Sequence, residues 1–455
     1  MAEIAQTIQQ ESEINTGSHL TVGPNDSVST SQSIFLGIQH VLAMDIYVVP
    51  FIIASIIGLS SQETSILIQS TFLAAGIATI IQSAFCMKLP VAQGPSFIPI
   101  GAVAGIYFAN GSGMTGWSSV LGASLVSAVL LTLIGMTGIF NKIIREFVPP
   151  LVGGTIIFIV GLSLMPVGLN DNIFNGAGGT INQNMLLAVI AAGVLIGSVM
   201  LAAVFPKIGR WVKISSVILA LVAGTVTASF MGMLDLTAVQ EASWFSMVQL
   251  PFKDVSFSFN PSAILTMLII YIVLMAETTG TWFAVSNVCD VELTDKQINR
   301  GVLGEGLGCL IASLLGSTPV TGYSTNAGII SITGVASRKV FISAGIWFII
   351  FGFSSKLSAL ISAIPAAVIG GVFVIVCAII SISGLEVMKK IPFHEKETYV
   401  FGIPMVLTLA LTFIPKDYVS GLPQMLQYLF SSPVATASIL AIMLNKLLPS
   451  KKSES

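Results

Sequence analysis

The sequence predicts an all-α polytopic membrane protein of fourteen transmembrane segments, arranged as 7+7 inverted repeats with short extended stretches in segments 3 and 10. Three observations carry that prediction. Hydrophobic residues make up 54% of the 455 residues and charged residues 9%, against about 25% charged in a typical soluble domain. Apolar runs approaching the roughly 20 residues that cross a bilayer recur along the chain. Two breakable, half-polar segments, Ala92 to Pro99 and Gly316 to Arg338, lie among those runs. Non-helical backbone at membrane depth is tolerated only where protein buries it or where it lines a cavity.

In order, the spans fall near 34–58, 64–86, 91–108, 117–139, 148–166, 185–205, 214–234, 262–288, 300–316, 320–335, 339–357, 360–384, 398–415 and 420–447. The third, ninth and tenth are short and rich in Gly, Ser and Thr, and hydropathy alone also permits twelve spans. Basic residues, which concentrate on the cytoplasmic side, favour fourteen. With both termini cytoplasmic, Lys88, Lys142, Arg145, Lys207, Arg210, Lys213, Lys296, Arg300, Arg338, Lys339, Lys389, Lys390, Lys396, Lys446, Lys451 and Lys452 face inward. Only Lys253, Lys356 and Lys416 face outward. Dropping one short span would reverse every later loop and erode that asymmetry.

Residues 1–33 are polar, with no basic stretch leading into a short apolar core, so no cleaved signal peptide is expected. Their apolar content is too low to offset the entropy of ordering. They are expected to form a disordered cytoplasmic tail, with no role for His19, and 448–455 a second tail. Cys86, Cys289, Cys309 and Cys377 lack any CxxC or Cys/His spacing, which points to small core residues rather than a disulfide or metal site. A net charge of −2 gives no reason to expect a nucleic-acid partner.

Internal symmetry orders the spans. The repeats are expected at 34–245 and 255–447, joined by the polar segment around Asp235 to Asp254. Val148 to Val160 and Ile364 to Val376, seven spans apart, share a Pro, a Gly-Gly pair and a β-branched run. An odd number of spans per repeat inverts one half against the other. The same offset pairs the two broken segments. Pro lacks a backbone donor and Gly resists regular helix, so each is expected to enter extended and continue as a half-helix. Facing extended stretches could share hydrogen bonds at the midplane, and the half-helix N-termini would present N–H groups to a ligand's carbonyl oxygens. Discontinuous helices of this kind build the binding sites of secondary transporters; ordinary kinked helices are the alternative reading.

Ionisable groups inside spans are costly and usually functional. Glu277, mid-span and flanked by Thr278, Thr279 and Thr281, is the strongest candidate for substrate contact, because a carboxylate accepts two N–H bonds from one edge of a planar heterocycle. A group so placed can also couple proton binding to ligand binding. Glu305, among glycines that permit close helix approach, is a candidate for proton coupling or for bracing the tenth segment. Gln39, His40 and Asp45 form a polar patch in the first span; a helix-to-helix hydrogen bond and proton handling are both open to His40. No metal-ligand cluster, nucleophile–base set or phosphate loop supports an enzyme or receptor.

These residues resemble the nucleobase-ascorbate transporter family. Its signature, Gln, Glu or Pro, then Asn-x-Gly, four variable residues and Thr followed by Arg, Lys or Gly, is matched by Thr325-Asn326-Ala327-Gly328-Ile329-Ile330-Ser331-Ile332-Thr333-Gly334 at all fixed positions except the first. Gln39-His40, Ala276-Glu277 and Gly301 to Leu307 are also similar to bacterial members. The resemblance implies a core domain of spans 1–4 and 8–11, a gate domain of spans 5–7 and 12–14, a homodimer in the cell inner (plasma) membrane, and proton-coupled uptake of a nucleobase by an elevator-like movement. No cofactor is implied beyond the coupling proton. By position, Glu277 resembles the family's substrate-binding Glu, Glu305 its ninth-span acid, Asn326 the motif Asn, His40 the first-span His and Phe97 an aromatic that stacks near the base. Tyr323 and Thr325, beside Asn326, complete the candidate substrate contacts.

Thr325 departs from the pattern. Members with Gln there tend to take xanthine or uric acid and those with Glu uracil, whereas one short hydroxyl makes no bidentate contact. Thr281 stands where a uracil carrier has His. Xanthine or uric acid is therefore favoured over uracil or another base. An anion transporter of the same fold, of the sulfate-permease type, is the alternative, and the acid at Glu277 argues against it.

Overall fold

The computed structural model describes residues 20–140, 146–176, 178–205, 209, 212–213, 215–247, 249–250, 256–389 and 391–449. Expectations resting on His19, Lys142, Arg145, Lys207, Arg210, Lys253, Lys390, Lys451 and Lys452, and on the tail residues 1–19 and 450–455, lie outside the described residues.

The first half runs through α1 (Thr30–Ala43), α2 (Val48–Ile57), α3 (Ser61–Ile80), strand β1 (Gln93–Pro95), α4 (Ile100–Ala109), α5 (Gly113–Thr137), α6 (Pro150–Pro166), α7 (Ile181–Val204) and α8 (Ser216–Phe230). The second runs through α9 (Pro261–Val288), α10 (Asp295–Leu314), β2 (Val320–Gly322), α11 (Thr325–Thr333), α12 (Arg338–Gly352), α13 (Ser355–Ser362), α14 (Ala366–Met388), α15 (Glu395–Phe413), α16 (Gln424–Ser431) and α17 (Pro433–Leu447). Helix α3 continues into a wider π-helical turn at Ile81–Cys86, and α6 does the same at Val167–Phe174. Reciprocal capping boxes start three long helices, Ser60 with Glu63, Thr180 with Gln183 and Thr294 with Gln297. Each satisfies two N–H groups that the helix itself leaves open.

Among the described residues, seven helices are long and apolar enough to cross a membrane, or eight when α12 and α13, bent by 79° at their break, are taken as one span. Several of the fourteen expected spans are interrupted among the described residues. The first span breaks between α1 and α2, where Pro50 has no N–H to offer the carbonyl of Ile46. The last breaks before Pro433, which drives Ser432 out of helical backbone to φ −120°, ψ 82°. Spans 3 and 10 are half strand and half helix, as expected from their Gly and Pro content, and β1 and β2 pair antiparallel, with Gln93 opposite Gly322, Gly94 opposite Thr321 and Pro95 opposite Val320.

The helix contacts come in matched pairs. Helix α3 lies on α12 and α5 on α10; α1 lies on α12 and α9 on α5; α7 lies on α8 and α15 on α17. Replacing each element by its counterpart seven spans away converts one member of each pair of contacts into the other. The expected Pro–Gly-Gly segments open α6 and α14, which pack on each other. Contact is close because side chains are missing where the backbones cross. A Cβ on Gly76 would stand 2.6 Å from the Gly345 carbonyl, and one on Gly345 would stand 2.8 Å from that of Gly76. Small residues that let backbones approach are the usual means of joining helices in lipid, where burial alone gives no driving force.

The predicted disordered tail at 1–33 ends sooner than composition suggests. Residues 20–26 lie along the exit of α11. The N–H groups of Thr21 and Val22 and the Thr21 hydroxyl all donate to the Gly334 carbonyl (2.8, 3.1 and 3.0 Å). In return Ala336 N–H donates to Val22, Arg338 N–H to Pro24, and the Ser337 hydroxyl to the Asp26 carbonyl (2.9, 3.1 and 2.7 Å). Backbone pairing orders this mostly polar segment, and Leu20 and Val22 pack against the core beside it. The other half has a counterpart, where Ser258 N–H donates to the Ser118 carbonyl at 3.0 Å and Ser256 N–H to the Ser118 hydroxyl at 3.2 Å. Deleting residues 20–28 should therefore lower the melting temperature of the detergent-solubilised protein by about 5 °C. Glu146→Ala, which removes an exposed ion pair to Lys446, should leave it unchanged; fluorescence-detected unfolding of both variants checks this.

Candidate functional site

A two-stranded ribbon surrounded by helices has polar edges that neither water nor lipid reaches. Each outer edge is closed by threonines. Gln93 N–H donates to the Thr79 hydroxyl at 2.8 Å, and that hydroxyl donates to the Gln93 carbonyl at 3.4 Å. Across the ribbon, Gly322 N–H donates to Thr278 at 3.1 Å and the Thr281 hydroxyl donates to the Gly322 carbonyl at 3.0 Å. Thr79 comes from α3 and the other two from α9, so the helix flanking each side supplies what the edge strand needs. Ser96 N–H donates to Pro319 and Tyr323 N–H to Ala92, both at 3.0 Å, extending the pairing to the starts of the half-helices.

Glu277, on α9, reaches this junction. Its Oε2 accepts the Ser96 hydroxyl at 2.8 Å, and the Ser96 oxygen in turn accepts Ile98 N–H at 3.1 Å at the entrance to α4. Glu277 is half-buried, and the Thr321 side chain of β2 also lies within reach of its carboxylate. Phe97 follows immediately and stacks on Phe373 of α14, ring centroids 5.9 Å apart and planes 22° from parallel.

The other predicted residues divide between open and committed. Asn326, fully buried, takes part in hydrogen bonds through both ends of its amide: Oδ1 pairs with His40 Nδ1 at 2.9 Å, and Nδ2 donates to the Tyr323 carbonyl at 3.1 Å. His40 also rests on Phe341, 4.4 Å between centroids. This is the helix-to-helix hydrogen bond, one of the two readings open to a membrane His. The Tyr323 hydroxyl donates to the Pro95 carbonyl at 2.9 Å, bracing one broken segment against the other. Thr325 is exposed at the first turn of α11. Asp45 is half-buried in the break between α1 and α2 and lies within electrostatic reach of Tyr47 and Tyr323. Glu305 is wholly buried behind the ribbon, where its Oε2 accepts Gln82 Nε2 at 3.2 Å.

Sequence reasoning missed Ser96, Gln82 and Thr79 as parts of the site. Ser96 carried a signal, since it sits in the broken third segment beside Phe97. Gln82 and Thr79 carried only their polarity within an apolar run. An apolar cavity of about 380 Å³ lies elsewhere, lined by residues such as Val41, Phe72, Leu221 and Ile361. It holds no carboxylate or amide side chain, and its polar side chains are those of Tyr47 and Thr225.

Residues 31–417 match the Permease family of xanthine and uric acid permeases. The chain belongs to the nucleobase-ascorbate transporter family. Its relatives in that family include a nucleobase transporter of Paenibacillus larvae, 32% identical over 92% of this chain and 94% of the relative. A xanthine permease of Bacillus subtilis is 31% identical over 91% and 93%, and a uric acid transporter of Escherichia coli 30% identical over 93% and 88%. Among solved structures, the transmembrane domain of a cyanobacterial bicarbonate transporter superposes with a TM-score of 0.63 at 14% identity, covering 86% of this chain and 98% of that one. The murine Solute Carrier 26 family member A9 anion transporter gives 0.59 at 12% identity, covering 91% and 68%. These structures share the fold. Family membership makes the chain a multi-pass membrane permease, and the motif Asn of that family is here the partner of His40. A double-mutant cycle on His40→Ala and Asn326→Ala should show a coupling of about 0.5–1.5 kcal/mol in unfolding stability; additive effects would separate the two residues.

Proposed function

We propose that this protein is a secondary active transporter that carries an oxidised purine, xanthine or uric acid, into the cell by proton-coupled symport. The half-buried carboxylate of Glu277 carries the reading: at membrane depth, beside two half-helix entrances, it offers an acceptor to the N–H edge of a planar ring, with Phe97 alongside to stack on its face. The names of the relatives support the class of substrate. Thr325, exposed at the start of α11, is the side chain in reach of the ring's far edge. Asn326 serves by holding the half-helix to His40, since its amide is already engaged.

The matched packing of the two halves supports fourteen spans in inverted 7+7 repeats. Spans 1–4 and 8–11 would form the core that carries the site, and spans 5–7 and 12–14 the gate, here represented by Phe373 against Phe97. Alternating access follows from the core sliding past the gate, with both termini cytoplasmic and the protein a homodimer. Transport of a small anion is the second reading, supported by the fold of the bicarbonate and Solute Carrier 26 proteins; a carboxylate at the centre of the site disfavours it, because bicarbonate and sulfate offer no N–H edge for it to hold.

Uptake of radiolabelled xanthine, urate, uracil, guanine and hypoxanthine in cells lacking their own carriers, with and without an uncoupler, tests the proposal. Uncoupler-sensitive accumulation of xanthine or urate is expected, and accumulation of bicarbonate or sulfate instead would overturn it. Glu277→Gln turns an acceptor toward the ring into a donor and should cut accumulation by more than about tenfold. Thr325→Gln restores a bidentate amide and should raise the ratio of xanthine to uracil uptake by about tenfold; an unchanged ratio would take residue 325 out of selectivity.

A further inference from the structure

Behind the ribbon, away from the ring-facing side, lies a second polar cluster that neither substrate contact nor helix packing explains. Side chains alternate between the two faces of extended chain, so Ser96 and Gln93 leave β1 on opposite sides. Ser96 meets Glu277. Gln93, wholly buried, faces the Glu305 carboxyl from the other side.

None of the three atoms that define this second face is hydrogen-bonded directly to protein. Glu305 Oε1, Gln93 Nε2 and Gln93 Oε1 are buried and have no partner among the described residues. The Gln93 backbone is fixed by Thr79, and Glu305 is held at Oε2 by Gln82, whose Nε2 also donates to the Gly301 carbonyl at 2.8 Å. Buried polar atoms in proteins are almost always paired. A site with two to four polar neighbours that protein cannot pair is the kind a structural water fills.

We propose that Gln93 is a positioning residue that holds Glu305 through a bridging water and thereby ties this acid to the ribbon whose opposite face carries Glu277. The ribbon then links the two acids. A change at Glu305 shifts Gln93, and with it the strand that continues into Ser96 and the half-helix entrance. Thr278 gives a second link of the same kind: it adjoins Glu277 in sequence, faces Glu305, and accepts the ribbon N–H of Gly322. Gln93 thus acts on the step that drives the base uphill and not on the contact with the base.

The inference rests on the proposed nucleobase symport, and the experiment separates the two. Initial rates of uphill base uptake and of base-for-base exchange are measured for the wild type, Gln93→Leu and Gln93→Asn. Gln93→Leu should lower the maximal rate of uphill uptake by about tenfold while KM and exchange stay within about threefold. Gln93→Asn, which keeps an amide and leaves room for water, should recover at least about half of the lost rate. A raised KM at unchanged maximal rate would place Gln93 at the base instead, and equal losses in Leu and Asn would reduce it to packing. Should Gln93→Leu fold poorly, the infrared carboxyl band assigned with Glu305→Gln in wild-type and Gln93→Asn protein gives a second readout. Its position should shift in the Asn variant, and an unmoved band would overturn the link. Absence of nucleobase uptake by the wild type would sink the symport proposal itself, leaving the infrared comparison as the test of the Gln93–Glu305 bridge.

Discussion

Everything at the centre of this protein follows from one constraint: two stretches of extended backbone sit at membrane depth, and every N–H and C=O along them must find a partner inside the protein. Pairing β1 with β2 satisfies the inner edges. The outer edges still need hydroxyls, and the threonines at 79, 278 and 281 supply them. Helices α3 and α9 are thereby fixed against the ribbon by hydrogen bonds rather than by apolar packing. Glu277 lies on one of those helices, so the bonds that satisfy the backbone also aim the carboxylate.

The same economy of contacts appears in the helices around the ribbon. In lipid, apolar side chains gain little by leaving their neighbours, so the helices meet where glycine allows van der Waals contact of backbone with backbone. Gly76 with Gly345, and Gly306 with Thr132, where a Cβ would stand 2.5 Å from the hydroxyl, place α3 on α12 and α10 on α5. Of these, α3 and α10 flank the ribbon, and α9 packs on β2 beside them. A substitution at such a glycine acts on the site through the helix that carries it.

Polar residues serve two ends here, and the sequence alone did not separate them. Asn326 sits in the family signature and reads as a substrate contact, yet its amide is spent on His40 and on Tyr323, anchoring α11 to α1. Ser96, which sequence reasoning did not single out, donates to the central carboxylate. Which side of a half-helix a polar group faces depends on the exit angle of the extended chain, and no periodicity in nine residues of α11 encodes that angle.

The membrane class and the two broken segments were legible in the residues, because each follows from local chemistry: apolar length, and Gly and Pro placement. The ordered segment 20–28, the break at Pro433, the engagement of Asn326 and the burial of Gln93 behind the ribbon came only from the tertiary structure. Each depends on a partner distant in sequence, Val22 on Val335 or His40 on Asn326, and hydrogen bonds between such partners exist only once the two halves of the chain have closed around each other.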